Sequence, residues 1–366
     1  MENSPACHEN KRKKTVRIML ESRDKIRYKD ITLLCKKMGI LLESGCEITK
    51  ILSILGQQSS KSVGKVIAKI YNHIQNGNSI ATSFQFTQSF SQFFVSMVRA
   101  GEISGNLDRV MDDLSRYYDK EYKLRSKTIN ALIYPSILLI LCTISTTFML
   151  MFVIPNFQMV FESNGVNPPI ITKIVINISI LVRRYFPYII GSAGILILVL
   201  VYYIKTSNKL KQFISLISLK LPILKDVIRL IVTTRFSRSL QLLLHSGIQI
   251  IDALDISARI IDNSFIYKKL EKSNENIKQG NSIGSSLVLA DVFPSLFIEM
   301  INIGEESGKL DLSLATINKF YESELDNTMD KIVKLIEPVI IVIMGVIVGV
   351  CIIAMVVPMF SVVSAI

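Results

Sequence analysis

The sequence predicts an all-α integral membrane protein with two copies of one cytoplasmic helical module and three transmembrane helices. Apolar residues recur at helical spacing along the chain, and no alternating strand pattern competes with them. Three long apolar windows have the length of membrane-spanning helices, and the mean hydropathy of the whole chain is +0.41. The octapeptide GEISGNLD at Gly101–Asp108 recurs as GEESGKLD at Gly304–Asp311, 203 residues later. Such a repeat predicts an internal duplication.

The duplication extends beyond the octapeptide. NGNSI at 76–80 matches QGNSI at 279–283, again at an offset of 203 residues. Near the start of each copy, LESG ending at Gly45 matches LHSG ending at Gly247 at an offset of 202 residues, and a change in loop length would give such a slip. Each copy is therefore expected to be a polar helical module that runs into an apolar span.

The apolar windows predict transmembrane helices over 131–154, 186–204 and 336–357. Each window holds close to the ~20 residues that a helix needs to cross the hydrocarbon layer of a bilayer. The first residues are polar and basic and no apolar stretch follows them, so we expect no cleaved signal peptide.

The distribution of Lys and Arg predicts the orientation. Segment 155–185 holds three of the 42 basic residues and the tail 358–366 holds none, which leaves 42 − 3 = 39 elsewhere. The positive-inside rule then places the N-terminus in the cytoplasm and the C-terminus outside. Within the extracytoplasmic loop 155–185, segment 170–184 is amphipathic enough to lie on the outer membrane surface.

A basic N-terminal tail is expected over 1–27, and the two cytoplasmic modules over 28–130 and 205–335. Apolar spacing and glycine-containing turns predict a bundle of six helices in each module. In the first module the fifth helix is expected to end at Gly101. The sixth is expected to begin near Asn106 and to continue into the first span without a loop.

The formal net charge of +12 belongs almost wholly to the predicted cytoplasmic parts. Anionic lipid, nucleic acid or an acidic protein surface could each be the partner of such a charge. A basic surface next to the membrane is the simplest interpretation, because cytoplasmic segments of membrane proteins are commonly rich in Lys and Arg.

Known catalytic motifs have no support in the sequence. GNSIG at 280–284 matches a nucleophile elbow around Ser282, but that motif needs a preceding strand, and a helix end followed by an N-cap explains both copies. The chain contains no P-loop, its three histidines are isolated, and its five cysteines are scattered without a CxxC pair. We therefore predict a non-enzymatic protein without a cofactor and with reduced cysteines.

The repeated octapeptide supplies the candidate site. Its glycines allow a tight reversal between helices, whereas its acidic residues are retained in both copies without an evident architectural reason. They could pair with a basic surface, stabilise helix N-termini, bind a cation (with Glu102 as the weak metal candidate) or dock a partner. The partner-docking candidates are Gly101, Glu102, Gly105, Asp108, Gly304, Glu305, Gly308 and Asp311.

Three further candidates lie where the module helices meet the membrane. Pro135 and its counterpart Pro338 stand at the start of the first and third spans. Glu337 is an acidic residue at a span boundary, and its counterpart is Tyr134. An ionisable residue at membrane depth suggests a function, while at the cytoplasmic edge its side chain can simply reach water.

These residues together resemble the F family of type II secretion systems, which includes the platform proteins of type IV pili and competence pseudopili. The resemblance covers about residues 28–366: the duplicated module with G-E-x-S-G-x-L, the prolines and all three spans. It implies a multi-pass protein of the bacterial inner membrane and a homo-oligomer. The implied partners are a cytoplasmic hexameric assembly ATPase, pilin or pseudopilin subunits and other membrane components of the machine.

Two other classes of protein have less support in the sequence. A small transporter or channel subunit is disfavoured, because the predicted spans lack charged pairs and broken helices. A membrane-tethered nucleic-acid binder would rest on charge alone, so no nucleic acid is expected as a direct partner. The sequence leaves open which filament machine the protein serves.

Overall fold

A computed structural model describes residues 26–163, 169–206, 222–261 and 263–363, and within these ranges all regular structure is helical, as predicted. The described residues form two compact units. Unit 1 contains residues 26–124 and 222–325, and unit 2 contains residues 125–206 and 326–363.

The first repeat begins with five helices and ends in a long sixth. The helices are α1 (Tyr28–Glu43), α2 (Ile48–Gln58), α3 (Lys61–Gln75), α4 (Ile80–Phe86), α5 (Gln92–Ser104) and α6 (Leu107–Phe148). Helix α1 forms because Ile31, Leu34, Cys35 and Met38 recur at helical spacing, and all four are buried. Packed rings add to this core, with the centroids of Phe84 and Phe94 5.1 Å apart.

The second repeat follows the same order. Its helices are α9 (Pro222–His245), α10 (Ile250–Arg259), α11 (Ser264–Lys278), α12 (Ile283–Val288), α13 (Ser295–Glu306) and α14 (Leu310–Val363). Helices α10 to α14 begin 202 or 203 residues after α2 to α6. The aromatic core also recurs, because the rings of Phe236, Phe293 and Phe297 pack together.

Helices α6 and α14 run from a polar first half into an apolar second half without a break. Two helical stretches of the described chain, Leu107–Val160 and Leu310–Ala354, are long and apolar enough to cross a membrane. The predicted span 186–204 lies in helix α8 (Ile170–Thr206), but many of its side chains fall outside the described ones. It therefore stays a prediction.

Unit 2 corrects the expectation of a separate surface helix at 170–184. This segment is the first part of α8, and its Val175 and Ile176 pack in a buried cluster with Leu150, Ile154 and Ala354. The connection 155–185 between the first two predicted spans is itself largely helical, because α7 (Ile154–Ser163) precedes α8. Amphipathic spacing shows that a helix has an apolar face but not what covers that face.

The path of α6 into α7 contains a π-helical turn at Met149–Val153. Pro155 follows this turn and has no N–H to donate to the carbonyl four residues earlier, which favours a local widening of the helix. The carbonyl of Leu150 accepts a hydrogen bond from the Ser179 hydroxyl, and the Thr172 hydroxyl donates to the carbonyl of Ala354 at 2.9 Å. Side-chain donors of α8 thus contact the backbone of both apolar helices.

Candidate functional site

The glycine that ends the fifth helix of each repeat is the second glycine of the motif. Gly105 has φ of 73° and Gly308 has φ of 66°, in the left-handed region that favours glycine. The N–H of Asn106 donates to the carbonyl of Gly101 at 3.0 Å and closes the turn. The predicted reversal is present, but the helix ends at Ser104, so the expected end at Gly101 is wrong.

The first glycine of the motif instead permits close helix packing. A Cβ built on Gly101 would lie 2.9 Å from Cγ2 of Val110 and 3.2 Å from Cα of Leu107. At Gly304 it would lie 3.0 Å from Cα of Leu310. The first turn of the last helix is therefore packed against the bare backbone of the helix before it, in both repeats.

The repeated glutamate accepts hydrogen bonds from a neighbouring helix N-terminus. In the first repeat, Oε1 of Glu102 accepts from the Ile80 N–H at 2.6 Å and Oε2 accepts from the Ala81 N–H at 3.0 Å. These amides open helix α4, where the first N–H groups have no partner within the helix and the dipole favours a negative charge.

The second repeat has the same bond. Both carboxylate oxygens of Glu305 lie 2.9 Å from the Ile283 N–H, and Oε2 lies 3.4 Å from the Gly284 N–H. Of the alternatives for these acidic residues, stabilisation of a helix N-terminus thus has a direct structural counterpart.

The GNSI motif forms the helix start that these glutamates cap. Ser79 and Ser282 are the N-cap residues of α4 and α12, and their hydroxyls accept from the Thr82 and Ser285 N–H groups at 3.2 and 3.3 Å. The last residue of GNSIG, Gly284, has a packing role, because a Cβ there would coincide with the side-chain oxygen of Asn302. A turn and a cap account for the motif, as the sequence suggested.

The aspartates of the motif are placed differently from the glutamates. Asp108 and Asp311 lie in the first turns of α6 and α14, and both are exposed. Neither has an ion pair among the described residues. Ile103, in the same turn as Asp108, is 81% exposed. Docking through this turn stays a prediction, and Asp108, Asp311 and Ile103 are among its exposed side chains.

The cation prediction at Glu102 also stays open. Both of its carboxylate oxygens already accept backbone hydrogen bonds. Within the described part of the chain, no group of three or more His, Cys, Asp or Glu side chains is arranged to hold a metal ion. A cation would therefore need oxygen ligands beyond the acidic residues, such as backbone carbonyls or water.

A buried ion network, which sequence reasoning did not find, joins the two repeats inside unit 1. Oε2 of Glu121 lies 2.9 Å from Nη2 of Arg235, and its Oε1 lies 3.7 Å from Nη1 of Arg238. Arg238 Nε also contacts Glu322 at 2.8 Å, and Lys120 Nζ contacts the same carboxylate at 2.6 Å. We call these five residues the interrepeat ion network. Glu121 is only 3% exposed, so its charge depends on these partners.

Burial and nearby charges shift the pKa values of several groups in unit 1, including Glu322 of the network. Burial by itself raises the pKa of Glu322, but Arg238 and Lys120 outweigh it, so the net pKa is lowered. Burial, followed by the charge of Glu121, raises the pKa of Tyr117. Burial also raises the pKa of Asp113, against the opposing charge of His245.

A groove of about 530 Å³ lies between the repeats in unit 1. The first repeat contributes Ile103 and Arg99, and the second contributes Asp252, Asp255 and Ile256. The exposed isoleucine of the repeated turn is therefore on the rim of a concave surface with charges of both signs.

The residues expected at the membrane boundary come together in unit 2. The Tyr134 hydroxyl donates to Oε1 of Glu337 at 3.4 Å. Seven residues earlier on α6, Lys127 Nζ lies 2.8 Å from Oδ1 of Asp330. Pro135 and Pro338 lie inside α6 and α14, which continue through them.

Comparison with known proteins identifies the repeated unit. Residues 34–155 and 236–358 each match the family described as "Type II secretion system (T2SS), protein F". The chain belongs to this family. The two matched ranges coincide with the internal duplication and include the repeated turn, the glutamate caps and the start of both apolar stretches.

The similarity to individual relatives covers nearly the whole chain. The type IV pilus assembly protein PilC of Pseudomonas aeruginosa is 30% identical over 345 residues, 94% of this chain and 92% of the relative. A PilC of Thermus thermophilus is 30% identical, with 92% and 83% covered. Type II secretion system protein F of Xanthomonas campestris is 29% identical, with 90% and 82% covered. Family membership and the apolar helices together indicate an inner-membrane protein.

Proposed function

We propose that the protein is a non-enzymatic inner-membrane platform of a type IV pilus or type II secretion machine. In this proposal it couples a cytoplasmic assembly ATPase to the insertion of pilin or pseudopilin subunits. The platform is multi-pass, with its N-terminus in the cytoplasm and its C-terminus outside, and it works as a homo-oligomer. The family and the names of its relatives support the type of machine.

The observation that carries the coupling proposal is helix continuity. Helix α6 runs unbroken from the repeated turn at Leu107 into the apolar stretch, and α14 does the same from Leu310. A hydrogen-bonded helix resists bending and twisting far better than a loop, so a displacement of the repeated turn can be carried along its axis. The two turns are thus suitable places for a motor to act.

Interrupting both helices tests this coupling. A seven-residue Gly-Ser insert after Asn130 and after Leu335 should abolish filament assembly or secretion while leaving the amount of protein in the membrane unchanged. The matched control is a seven-residue alanine-rich insert at the same places, which keeps the helix and nearly its phase because seven residues make about two turns. Equal activity of the Gly-Ser variant and the control would contradict rigid coupling.

A second experiment tests where the ATPase docks. The full-length protein is preferable to isolated repeats, because separating them would leave Glu121 without Arg235 and Arg238. Asp108→Lys with Asp311→Lys should weaken co-purification of the cognate ATPase with only a small decrease in unfolding temperature. Both side chains are exposed, but they lie in the first turns of helices, where the dipole favours a negative charge. Glu299→Lys with Glu324→Lys, at exposed positions of α13 and α14 outside the turn, is the charge-matched control. Unchanged co-purification would assign the turn to architecture alone.

A further inference from the structure

We infer that each repeat is built to select the other repeat of its own chain as its partner, rather than the same repeat of a second copy. Helices α6 and α14 contact each other through side chains at equivalent positions of the two repeats, and these side chains differ in charge.

In unit 2, positions that are equivalent in the duplication contact each other. Lys127 and Asp330 are 203 residues apart, which is the repeat offset, and they form an ion pair of 2.8 Å. Tyr134 and Glu337 are also 203 residues apart, and the hydroxyl of one donates to the carboxylate of the other. When equivalent positions meet, two identical repeats in the same arrangement would bring identical side chains together.

Identical repeats would therefore be mismatched at this surface. Two first repeats would oppose Lys127 with Lys127, and two second repeats would oppose Asp330 with Asp330 and Glu337 with Glu337. Asp326 adds a further carboxylate 3.6 Å from Lys127. Charges along a helix pair determine the choice of partner in this way, by favouring the opposite charge and penalising the like charge.

The ion pair of Lys127 and Asp330 is too exposed to contribute much to the stability of the fold. The side chains of Lys127 and Asp330 are 34% and 54% exposed. Exposed ion pairs contribute little to folding, whereas like charges held at the same distance oppose association. A role in partner selection fits these exposures better than a role in holding the unit together.

Unit 1 has the same asymmetry in a buried setting. Glu121 of the first repeat pairs with Arg235 and Arg238 of the second. At the offset of 202 that relates the first helices of the repeats, the residues equivalent to these arginines are Leu33 and Lys36. In a pair of first repeats, the buried carboxylate would face a leucine in place of Arg235 and a lysine in place of Arg238. It would lose the cation that lies 2.9 Å away and keep only the more distant cationic position, so this contact also favours the second repeat.

Position-specific cross-linking tests the inference in the full-length protein in membranes. Cysteines replace Tyr134 and Glu337, together or singly, and a bismaleimide joins cysteines that lie close together. Gel mobility separates links within a chain from links between chains, and mass spectrometry identifies the linked peptides. The unsubstituted chain gives the background from native cysteines.

The expected result is a 134–337 link within one chain for the double variant. Links between chains should stay at background for either single variant. Efficient linking of 134 to 134 or of 337 to 337 between chains would overturn the inference. A 134–337 link that joins two chains would overturn the assignment to one chain, and absence of any link above background would overturn the contact itself.

Charge variants test whether the ion pair determines the choice. Lys127→Asp or Asp330→Lys alone should lower the yield of the intrachain link several-fold, and the two together should restore it. Lys123→Asp is the control, because Lys123 pairs with Asp119 on its own helix. A control that lowers the yield as much as Lys127→Asp, or a double exchange that fails to restore it, would overturn the role of this pair.

Discussion

The carboxylate of Glu121 and the guanidinium of Arg235 lie 2.9 Å apart, although they belong to different repeats and stand 114 residues apart in the sequence. The pair is held in unit 1 with Arg238, Glu322 and Lys120 around it. It shows that the two repeats are packed against each other and are not separate domains on a string. Five predictions follow from such contacts, from the repeated turn and from helix α4.

Removing the buried carboxylate should destabilise unit 1. Glu121→Gln leaves Arg235 and Arg238 without their shared charge partner, and breaking a buried ion pair costs roughly 3–5 kcal/mol. We expect a lower midpoint in denaturant unfolding of the detergent-solubilised protein. Glu324→Gln is the control, because Glu324 is the equivalent position of the second repeat and is exposed. Equal midpoints for the two variants would contradict the importance of the network.

The decrease in folding stability at low pH should depend on Glu322. Because its pKa is lowered in the folded state, its contribution is present above the ordinary glutamate pKa of about 4.3 and is lost as pH falls through the lowered value. The contribution of Asp113 to the pH dependence of stability has the opposite sign. Burial raises the pKa of this carboxyl group, so the fold gains stability as the group is protonated. Between about pH 3 and 6, the unfolding temperature of Glu322→Gln should therefore fall less steeply with decreasing pH than that of the natural protein.

Comparison of variants separates these two carboxyl groups. Asp113→Asn should make the fall in unfolding temperature with decreasing pH steeper, because it removes the carboxyl group whose protonation stabilises the fold. A Glu322→Gln profile parallel to that of the natural protein over the whole range would show that Glu322 does not titrate with folding.

The first glycine of the repeated turn should not tolerate a methyl group. Gly101→Ala brings a Cβ within 3.0 Å of Val110, and forcing extra atoms into such a contact costs ~1–3 kcal/mol. Gly39→Ala is a matched control in another packed helix, because its new Cβ would lie at an ordinary contact distance of 3.5 Å from the nearest atom, the carbonyl oxygen of Asp108. We expect a lower unfolding temperature for Gly101→Ala and an unchanged or higher one for Gly39→Ala. A reversed order would mean that the packing at Gly101 is looser than described.

The glutamate caps should control the local stability of the short helix. Glu102→Ala removes the acceptor for the Ile80 and Ala81 N–H groups, and loss of a cap typically costs about 1 kcal/mol. Hydrogen exchange should accelerate over residues 80–86 and change little in α1. Glu306→Ala is the control, since Glu306 is exposed. Unchanged exchange over 80–86 would rule out a capping role for Glu102.

The exposed aromatic at the end of α4 should be dispensable for folding. Phe86 is 57% exposed, and its ring stacks on His73 with centroids 5.0 Å apart. Phe86→Ala should lower the unfolding temperature much less than Phe84→Ala, because Phe84 is fully buried and truncation of a buried Phe costs ~3–5 kcal/mol. Similar losses for the two variants would indicate that Phe86 is covered in the purified protein.

The repeated sequence allowed the duplication, the helical class and the turn at the end of each fifth helix to be predicted. The predicted end of α5 at Gly101 is three residues too early, because a sequence does not distinguish the roles of Gly101 and Gly105. Only the packing of Val110 and the left-handed φ of Gly105 distinguish a glycine that allows close approach from one that allows reversal. Periodicity also could not show that α8 packs against Leu150 and Ala354.

The role of Glu102 was only one of several alternatives, because the amides that it caps lie more than 20 residues earlier in the chain. One signal could have found it: NGNSI and GEISG recur together at the same offset, which suggests that they contact each other. The interrepeat ion network has a weaker signal. It involves positions where the copies differ, such as Arg235 against Leu33, and such differences are expected anywhere in diverged repeats.

The meeting of Lys127 with Asp330 has a consequence for how a duplicated gene product can change. A protein that pairs with a second copy of itself must be self-complementary, so every substitution appears twice across the interface and a charge at the symmetry axis meets its own copy. Once the two halves are encoded in tandem, each side of the interface can vary independently, and a cation on one side can be matched by an anion on the other. Fusion also fixes the stoichiometry of the halves at one to one, whatever the level of expression.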